Sequence, residues 1–382
     1  MDFDDTPREA DFRAAARRWL EANAKPLDPT AGPAARAEVD EAEHVRRCKE
    51  WQRTLYDGGW AGITWPAEYG GRGASPIEAA IFNQEQARFE VSTGIFAVGI
   101  GMVGPTLIAH AAPEHKQRYL DPLLRGEEVW CQLFSEPGAG SDLAGLTTRA
   151  ERDGDEWVVN GQKVWTSGAH FSDFAILLAR TDPAKPKHEG ITFFVVDMRT
   201  PGIEVRPLRQ ITGAAHFNEV FLTDVRVPAT GVVGEVDHGW AVARTTLMSE
   251  RTLIGGGHGA GFADVRALAV QTGAQDNRIH RQELAAAFTR WELIRYLGYR
   301  VQTAVSQGRA PGPESSILKL LYSQHVSRTA DLVMAMQGNA LGGYWPTYFL
   351  NQWASRIGGG TDQIQRNIIG ERVLGLPREP RG

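Results

Sequence analysis

Residues 135–168 read SEPGAGSDLAGLTTRAERDGDEWVVNGQKVWTSG, and the spacing of apolar residues along the chain changes close to this segment. From about Trp130 the apolar positions approach the two-residue period of a β-strand and leave the 3.6-residue period of a helix. Within the segment, EWVVNGQKVW (156–165) contains Asn160-Gly161, a dipeptide that strongly favours a two-residue hairpin turn. We therefore predict two short strands joined at Asn160-Gly161.

Three further β-rich runs follow and are separated by Pro- and Gly-containing turns. They are FAILLAR (174–180), ITFFVVD (191–197) and EVFLTDVRV (219–227). Together with the segment above, they predict an all-β middle block of roughly one hundred residues.

The sequence before this block has a helical period. Thr6-Pro7-Arg8-Glu9 and Ser75-Pro76-Ile77-Glu78 are both capping boxes with Pro at the first helical position. Between them, an amphipathic helix stops at Gly58-Gly59 and has one apolar face, formed by Val45, Cys48, Trp51 and Leu55. Helical periodicity continues to about Leu124.

After Gly239 the helical period returns, so the order along the chain is α, then β, then α. The predicted helical runs are Trp240–Arg266, Arg281–Gln307, Ser316–Met336 and a last helix near Gln363–Val373. No βαβ units repeat and no GxGxxG follows a predicted strand, which disfavours a doubly wound dinucleotide-binding fold.

Composition excludes several classes of protein and partner. The 382 residues carry 41 Lys and Arg against 46 Asp and Glu, a net charge of −5, which disfavours nucleic acid or an anionic membrane surface as the main partner. Residues 91–113 lack charged side chains, but glycines dilute their apolar character, so we predict buried helices there and no membrane span. The acidic first residues lack the apolar core of a signal peptide, and we predict a cytoplasmic location.

Cysteine and histidine usage points to neither disulfides nor metal. Cys48 and Cys131, the two cysteines, are far apart in sequence and belong to no CxxC motif. The histidines lack ligand spacing, so we expect no metal site and interpret them as surface or capping residues; they include His110, His115, His216, His238 and His258.

Two segments could bind a planar or anionic ligand. QLFSEPGAGS (132–141) offers hydroxyls and closely approachable backbone N–H groups, although such a loop alone is also compatible with a tight polar turn. Trp165-Thr166-Ser167 places a flat indole beside two hydroxyl donors, and the alternative is a core tryptophan beside exposed hydroxyls.

Taken together, these segments resemble the acyl-CoA dehydrogenase family over nearly the whole chain. The resemblance is carried, in the family's order and spacing, by WPAEYGGRGAS (65–75), HKQRYLDPLLRGE (115–127), the 135–168 segment and GTDQIQRNIIGERVLGLP (360–377). It implies an α+β chain with an N-terminal α-helical domain (1–125), a middle β-barrel-like domain (126–235) and a C-terminal four-helix bundle (236–382). It also implies FAD held between the β domain and the bundle.

The resemblance carries site residues over by position. Those expected to contact FAD are Gln132, Phe134, Ser135, Trp165, Thr166, Ser167, Thr361 and Gln363, and those expected to contact the acyl-CoA substrate are Ser141, Arg251 and Gly360. The implied reaction removes the α-proton of an acyl-CoA thioester and transfers the β-hydride to the flavin, with electrons passed on to an electron-transferring flavoprotein. The implied setting is lipid metabolism, in fatty acid β-oxidation.

The general base departs from the commonest family pattern. Most members place Glu directly before the last Gly-Thr, whereas this chain has Gly359 at that position. In a minority that resembles isovaleryl-CoA and long-chain dehydrogenases, the Glu lies on a bundle helix, and the matching residue here is Glu250. The loss at one position and the gain at the other fit each other, so we predict Glu250 as the catalytic base; the alternative is a surface Glu250-Arg251 pair.

A second departure concerns the FAD pyrophosphate. Many members use an Arg-x-x-Phe-Gly element of a neighbouring subunit, but this chain has Ala269, Thr272 and Gly273 there. Arg266, Arg278 or Arg281 are candidate substitutes. The family implies a homotetramer or dimer, and this departure leaves open a hetero-oligomer in which the chain is a non-catalytic or half-site subunit. An oxidase on the same fold is a further alternative.

Overall fold

The computed structural model of the protein describes residues 5–28, 40–255, 261–307, 312, 315–339 and 342–378. The side chains at 251–255, 302, 305 and 306 lie outside that description. The α-helices among the described residues are α1 (Pro7–Asn23), α2 (Glu41–Asp57), α3 (Pro76–Gln86), α4 (Gly104–His110), α5 (Pro113–Leu124), α6 (Gly239–Gly255), α7 (Phe262–Thr272), α8 (Arg278–Ser306), α9 (Ser315–Gln337), α10 (Tyr344–Ile357) and α11 (Asp362–Ile368). The strands are β1 (Lys25–Pro26), β2 (Phe89–Glu90), β3 (Trp130–Leu133), β4 (Arg149–Asp153), β5 (Glu156–Ser167), β6 (Phe174–Arg180), β7 (Ile191–Asp197), β8 (Ile203–Leu208) and β9 (Phe217–Pro228).

Strands β3 to β9 form one curled, seven-stranded sheet. Its order is β3-β6-β4-β5-β9-β8, and β7 pairs with β6 off this path. Strands β3 and β6 run parallel, while β5 pairs antiparallel with both β4 and β9. Inward-facing side chains such as Trp157, Phe194 and Val225 form its buried core. The predicted middle β domain is thereby confirmed, and its three β-rich runs lie on β6, β7 and β9.

The hairpin predicted at Asn160-Gly161 is wrong, because residues 156–167 form a single strand. The turn lies instead between β4 and β5, where Gly154 has a φ of +63° that favours glycine. Gly161 serves close packing: a Cβ there would lie 2.4 Å from the Thr148 hydroxyl oxygen. Gly154 is therefore favoured by the turn conformation, whereas Gly161 is favoured by the close approach of Thr148.

By its contacts the chain divides into two compact units. One contains the described residues within 42–74 and 91–250, including the seven-stranded sheet, helices α4 and α5, and most of α2 and α6. In this unit the uncharged segment 91–113 forms a π-helical turn, Gly99–Val103, followed by α4, with Met102 and Leu107 buried. The prediction of buried helical structure there is confirmed, and none of the described helices is long and apolar enough to cross a membrane.

The other unit contains the described residues within 1–41, 75–90 and 251–382. Both predicted capping boxes are present: the Thr6 hydroxyl accepts from the Glu9 N–H, and the Ser75 hydroxyl accepts from the Glu78 N–H. Helices α7 to α10 pack around a buried apolar cluster that includes Trp345. The predicted α, β, α order and the three-domain fold are confirmed, whereas the boundaries near 125 and 235 remain predictions.

Two helical predictions need correction. The run predicted over Trp240–Arg266 comprises two helices, α6 and α7, and residues 256–260 between them lie outside the described part of the chain. Helix α10 has no counterpart among the predicted runs. Its Pro346 is compatible with a helix, because this proline lies in the first turn. The N–H groups of the first turn have no hydrogen-bond partner within the helix, so the N–H that proline lacks is not missed there.

Candidate functional site

Lys163 and Glu136 form a buried ion pair that joins the loop after β3 to strand β5. Lys163 is 0% exposed, and its Nζ donates to Glu136 Oε1 at 2.9 Å and to the Phe134 carbonyl at 3.0 Å. Glu136 also accepts from the N–H and hydroxyl of Thr147 and from the N–H of Thr148. Buried charges persist when they are paired and hydrogen-bonded in this way.

The electrostatics keep this pair ionised near neutral pH. Burial raises the pKa of Glu136, but the charge of Lys163 and hydrogen bonds from Thr148 and Thr147 outweigh burial and lower this pKa to about 2. Burial lowers the pKa of Lys163 to about 8, against the attraction of Glu136. The pair therefore fixes the backbone at 134–136 with a charge-assisted contact.

The segment 132–141 contains three of the predicted FAD contacts and lies alongside β5. Gln132 lies on β3, opposite Ile176 of β6, and is partly buried. The ring of Phe134 packs edge-on against Phe193, with centroids 5.8 Å apart. The Ser135 carbonyl accepts a hydrogen bond from the N–H of Val164, at 2.9 Å. The structure thus brings together the two segments that the sequence singled out separately.

Trp165 occupies a β-bulge and is held out of the sheet. Between the pairs Lys163–Val220 and Thr166–Asn218, strand β5 has two residues where β9 has one. Trp165 has a φ of +63°, a strained value for a bulky residue, and its side chain is 61% exposed. An exposed indole on strained backbone is typical of a ligand contact and excludes the alternative of a core tryptophan.

The two residues after Trp165 present hydroxyls of different character. Thr166 is 2% exposed, its carbonyl accepts from Asn218 Nδ2 at 2.9 Å, and its own hydroxyl has no hydrogen-bond partner among the described residues. Ser167 is exposed. A buried hydroxyl without a partner is costly, so Thr166 is suited to a ligand that completes its bonding.

The loop around Ser141 is open and polar. Glu136 and Ala139 exchange backbone hydrogen bonds of 3.1 and 3.0 Å, which close the turn before it. Ser141 is exposed, and a Cβ added at Gly138 or Gly140 would meet nothing within 4 Å. The loop therefore leaves open space beside the exposed Ser141 hydroxyl.

Glu250 lies on α6, which starts against the sheet. A Cβ at Gly239, the first residue of α6, would lie 2.4 Å from the Phe193 backbone nitrogen, so the helix starts in close contact with β7. Glu250 is partly buried and lies eleven residues further on, about 16 Å along the helix axis. Arg251 follows on the same helix, but its side chain lies outside the described part.

His110 corrects one prediction. It is not simply a surface or capping residue, because it is partly buried and its Nε2 lies 2.8 Å from the Thr245 hydroxyl of α6. Burial lowers its pKa, which favours the neutral ring. Among the described residues, no group of three or more His, Cys, Asp or Glu side chains could hold a metal ion.

The C-terminal segment is built for glycine at 359 and 360. Their φ values are +63° and +87°, which a residue with a side chain adopts only with strain. Gln365 is 0% exposed, and its Nε2 donates to both glycine carbonyls at 3.2 Å. Thr361 caps α11, accepting from the Ile364 N–H, and Gln363, the second residue of the helix, is exposed.

Asp362 anchors this segment to the bundle. It is 1% exposed and accepts from the Ser323 hydroxyl at 2.6 Å and from Arg356 Nε at 3.2 Å. Lys319 Nζ lies 3.6 Å from the same carboxylate. Burial lowers the pKa of Lys319, which Asp362 counteracts.

The element at the place of Arg-x-x-Phe-Gly supplies no cationic side chain at residues 269, 272 or 273. Ala269 is 1% exposed and belongs to the bundle core, so this position presents nothing to a ligand. The Thr272 hydroxyl bonds back to the Leu268 carbonyl of its own helix, and Gly273 ends α7 with a φ of +70°. The alanine at 269, where many family members have arginine, is thus part of the bundle core.

The sheet side of the site fits a flavin. An exposed indole, a buried hydroxyl without a partner and an exposed hydroxyl follow one another in Trp165, Thr166 and Ser167. Together they suit a flat ring with a hydrogen-bonding edge.

Sequence reasoning missed three residues that organise the site: Glu136, Lys163 and Gln365. A lysine inside an otherwise β-like, half-apolar run was an available signal for Lys163. Nothing in the sequence pairs it with Glu136 across 27 positions.

Comparison with known proteins gives matches along most of the chain. Family models for the N-terminal, middle and C-terminal domains of acyl-CoA dehydrogenases match residues 6–127, 131–225 and 237–374. The chain is 44% identical over 352 residues to the acyl-CoA dehydrogenase FadE34 of Mycobacterium tuberculosis, covering 90% of this chain but 48% of FadE34, about half its length.

Two solved structures share the fold over nearly the whole chain. A protein described as the Tcur3481-Tcur3483 steroid ACAD superposes with a TM-score of 0.85 at 31% identity, covering 99% of this chain and 100% of that one. The ChsE4-ChsE5 complex from M. tuberculosis gives 0.81 at 27% identity, covering 99% and 100%.

Replacing Lys163 tests whether the buried pair holds the site together. Lys163→Met leaves Glu136 buried without its cation, so we expect the free energy of unfolding in urea to fall by about 3–5 kcal/mol and bound flavin to be lost. Lys25→Met, which removes an exposed pair with Glu90, should change it by less than about 1 kcal/mol. The double variant Lys163→Met/Glu136→Gln should recover part of the loss; no recovery would contradict this account.

Proposed function

The chain belongs to the acyl-CoA dehydrogenase family, whose members are FAD-dependent oxidoreductases, and from this we propose that it catalyses α,β-dehydrogenation of an acyl-CoA thioester. The observation that carries the proposal is the bulge in β5, which exposes Trp165 on strained backbone beside the unpartnered hydroxyl of Thr166. A ligand lying against the indole and accepting a hydrogen bond from the Thr166 hydroxyl would give both features a function.

The proposed cofactor contacts are those that the family resemblance carries over by position: Gln132, Phe134, Ser135, Trp165, Thr166, Ser167, Thr361 and Gln363. FAD, when bound, supplies the acceptor for the hydride that leaves the β-carbon of the substrate. The Thr166 and Ser167 hydroxyls would orient its ring by hydrogen bonds, and Trp165 would cover it from water.

Glu250 is the proposed base that takes the α-proton. The α-proton of a thioester is a weak acid, so its removal needs a carboxylate shielded enough from water to be strong near neutral pH. Glu250 is partly buried on a regular helix, whereas Gly359 has no side chain and a backbone that disfavours one. Ser141, Arg251 and Gly360 are the proposed substrate contacts, and a backbone N–H near Gly360 would stabilise the negative charge that develops on the thioester oxygen.

Replacing Glu250 with glutamine tests the base. In an anaerobic mixture with acyl-CoA thioesters, we expect the wild-type flavin band to bleach and Glu250→Gln to slow bleaching by at least about 10³-fold, since the amide cannot accept the proton. Glu283→Gln, on exposed surface of α8, serves as the matched control and should bleach at the wild-type rate. Bleaching of Glu250→Gln at the wild-type rate would overturn the assignment.

The substrate we propose is a bulky acyl-CoA of branched or polycyclic type. Residues 358–360 are all glycine and contribute no side chain beside the cap of α11. A structure 31% identical to this chain is described as a steroid ACAD, and steroids are polycyclic. Both observations favour a wide acyl site over a narrow one for straight chains.

A panel of thioesters tests this substrate class. We expect kcat/KM for a CoA thioester of a steroid carboxylic acid to exceed that for butyryl-CoA by at least tenfold, because burying the larger acyl group supplies more apolar contact. Isovaleryl-CoA and octanoyl-CoA separate branching from length. Fastest turnover with the short straight chain would exclude the bulky class.

The proposed electron acceptor is an electron-transferring flavoprotein. The family resemblance supports it, and the alternative is an oxidase on the same fold. Turnover in air with the proposed substrate should consume less than about one-tenth as much oxygen as product formed, and adding an electron-transferring flavoprotein should raise the rate. Stoichiometric oxygen uptake would establish the oxidase instead.

A second candidate is a half-site subunit within a hetero-oligomer. It is favoured by Ala269, which is buried where many relatives present an arginine, and by two relatives: one is twice as long as this chain and one was solved as a two-component complex. The protein purified alone discriminates the two. A flavin-saturated homotetramer or dimer supports the complete enzyme, whereas a colourless protein that gains flavin only with a second chain supports the subunit.

A further inference from the structure

Helices α4 and α6 are joined by hydroxyl groups in a place where apolar side chains would suffice. Thr106 and Thr246 are both 0% exposed, with their hydroxyl oxygens 2.9 Å apart. Their neighbours Leu107 and Ala243 are also 0% exposed, so the contact is shielded from water. Burying two hydroxyls gains little stability over two methyl groups, which points to a role in geometry.

The protons of this contact form a directed chain. The Thr106 hydroxyl donates to the Met102 carbonyl at 2.7 Å, so its single proton is committed. Thr246 must then be the donor to Thr106. The chain ends in the π-helical turn Gly99–Val103, which precedes α4. Hydrogen bonds linked in this way reinforce one another.

A second bridge lies one turn further along α4. His110 Nε2 and the Thr245 hydroxyl oxygen are 2.8 Å apart, next to the Thr246 bridge on α6. Two directional bonds at adjacent residues fix both the sliding and the rotation of α6, which apolar packing alone leaves softer. Glu250 follows Thr246 by four residues, so it lies on the same face of the helix, about 6 Å along the axis.

We propose that Thr106 and Thr246, supported by His110 and Thr245, are positioning residues that set where the Glu250 carboxylate lies. The inference rests on the proposed function, in which Glu250 takes the α-proton. Proton transfer demands hydrogen-bond reach between base and substrate, and a displacement of about 1 Å can cost up to about 10²-fold in rate. The bridges therefore act on the rate of proton removal and not on cofactor binding.

Thr246→Val is the decisive variant, because it removes a donor and leaves no buried donor unpaired. We expect anaerobic flavin reduction at saturating acyl-CoA to slow by about 10- to 100-fold, with a larger isotope effect from α-deuterated substrate. Substrate Kd, flavin content and Tm should stay close to wild type. Thr246→Ser retains the hydroxyl and should restore the rate to within about twofold. Thr54→Val removes a partly exposed hydroxyl that bonds only the Glu50 carbonyl of its own helix, α2; it is the control and should react at the wild-type rate.

The outcomes separate this inference from the function it rests on. A wild-type rate in Thr246→Val, or a slower rate that follows lost flavin or lowered Tm with an unchanged isotope effect, overturns the positioning role. If Glu250→Gln is inactive in the same series, such a result leaves the proposed function standing. If the wild-type flavin is not reduced by any thioester, or Glu250→Gln reacts normally, the proposed function fails and the inference with it.

Discussion

The buried contact between Lys163 and Glu136 is the constraint on which the sheet side of the site depends. A lysine with no exposed surface requires a carboxylate, and this carboxylate is held in turn by the two threonines that precede β4. The same ammonium group also bonds the Phe134 carbonyl. One pair therefore locks the loop after β3, the residues before β4 and the middle of β5 together. Breaking the pair itself leaves a charge unpaired in low dielectric, and breaking one of its other hydrogen bonds leaves a buried polar group unsatisfied.

The rigidity of that lock explains how β5 tolerates strain two residues later. Trp165 adopts a left-handed backbone conformation that costs of order 1–3 kcal/mol, and such a conformation persists only where its surroundings determine it. On one side the backbone is held at Lys163 and at the Ser135 carbonyl; on the other, Asn218 binds the Thr166 carbonyl. The bulge is thus clamped at both ends, and the exposed indole between them is preorganised.

The glycine at 359 and the glutamate at 250 each suit the backbone on which they lie. Gly359 and Gly360 have left-handed conformations, and Gln365 is buried with its amide on both of their carbonyls, so this turn is specified for glycine. Glu250, the proposed base, lies on the regular helix α6. Helix α6 is tied to β7 at its start and to α4 at Thr245 and Thr246, so the alternative position is well anchored.

The sequence by itself determined the elements whose signals are local: both capping boxes, three of the central strands and the α, β, α order. Its local signals misassigned Gly161, because a glycine needed for close approach to Thr148 looks the same in sequence as a glycine needed for a turn. The tertiary structure alone decided the partners of Lys163, Gln365 and His110 and the bulge at Trp165. Each depends on which strand or helix lies opposite, and that information is carried by contacts between residues distant in the chain and not by the period or composition of any one segment.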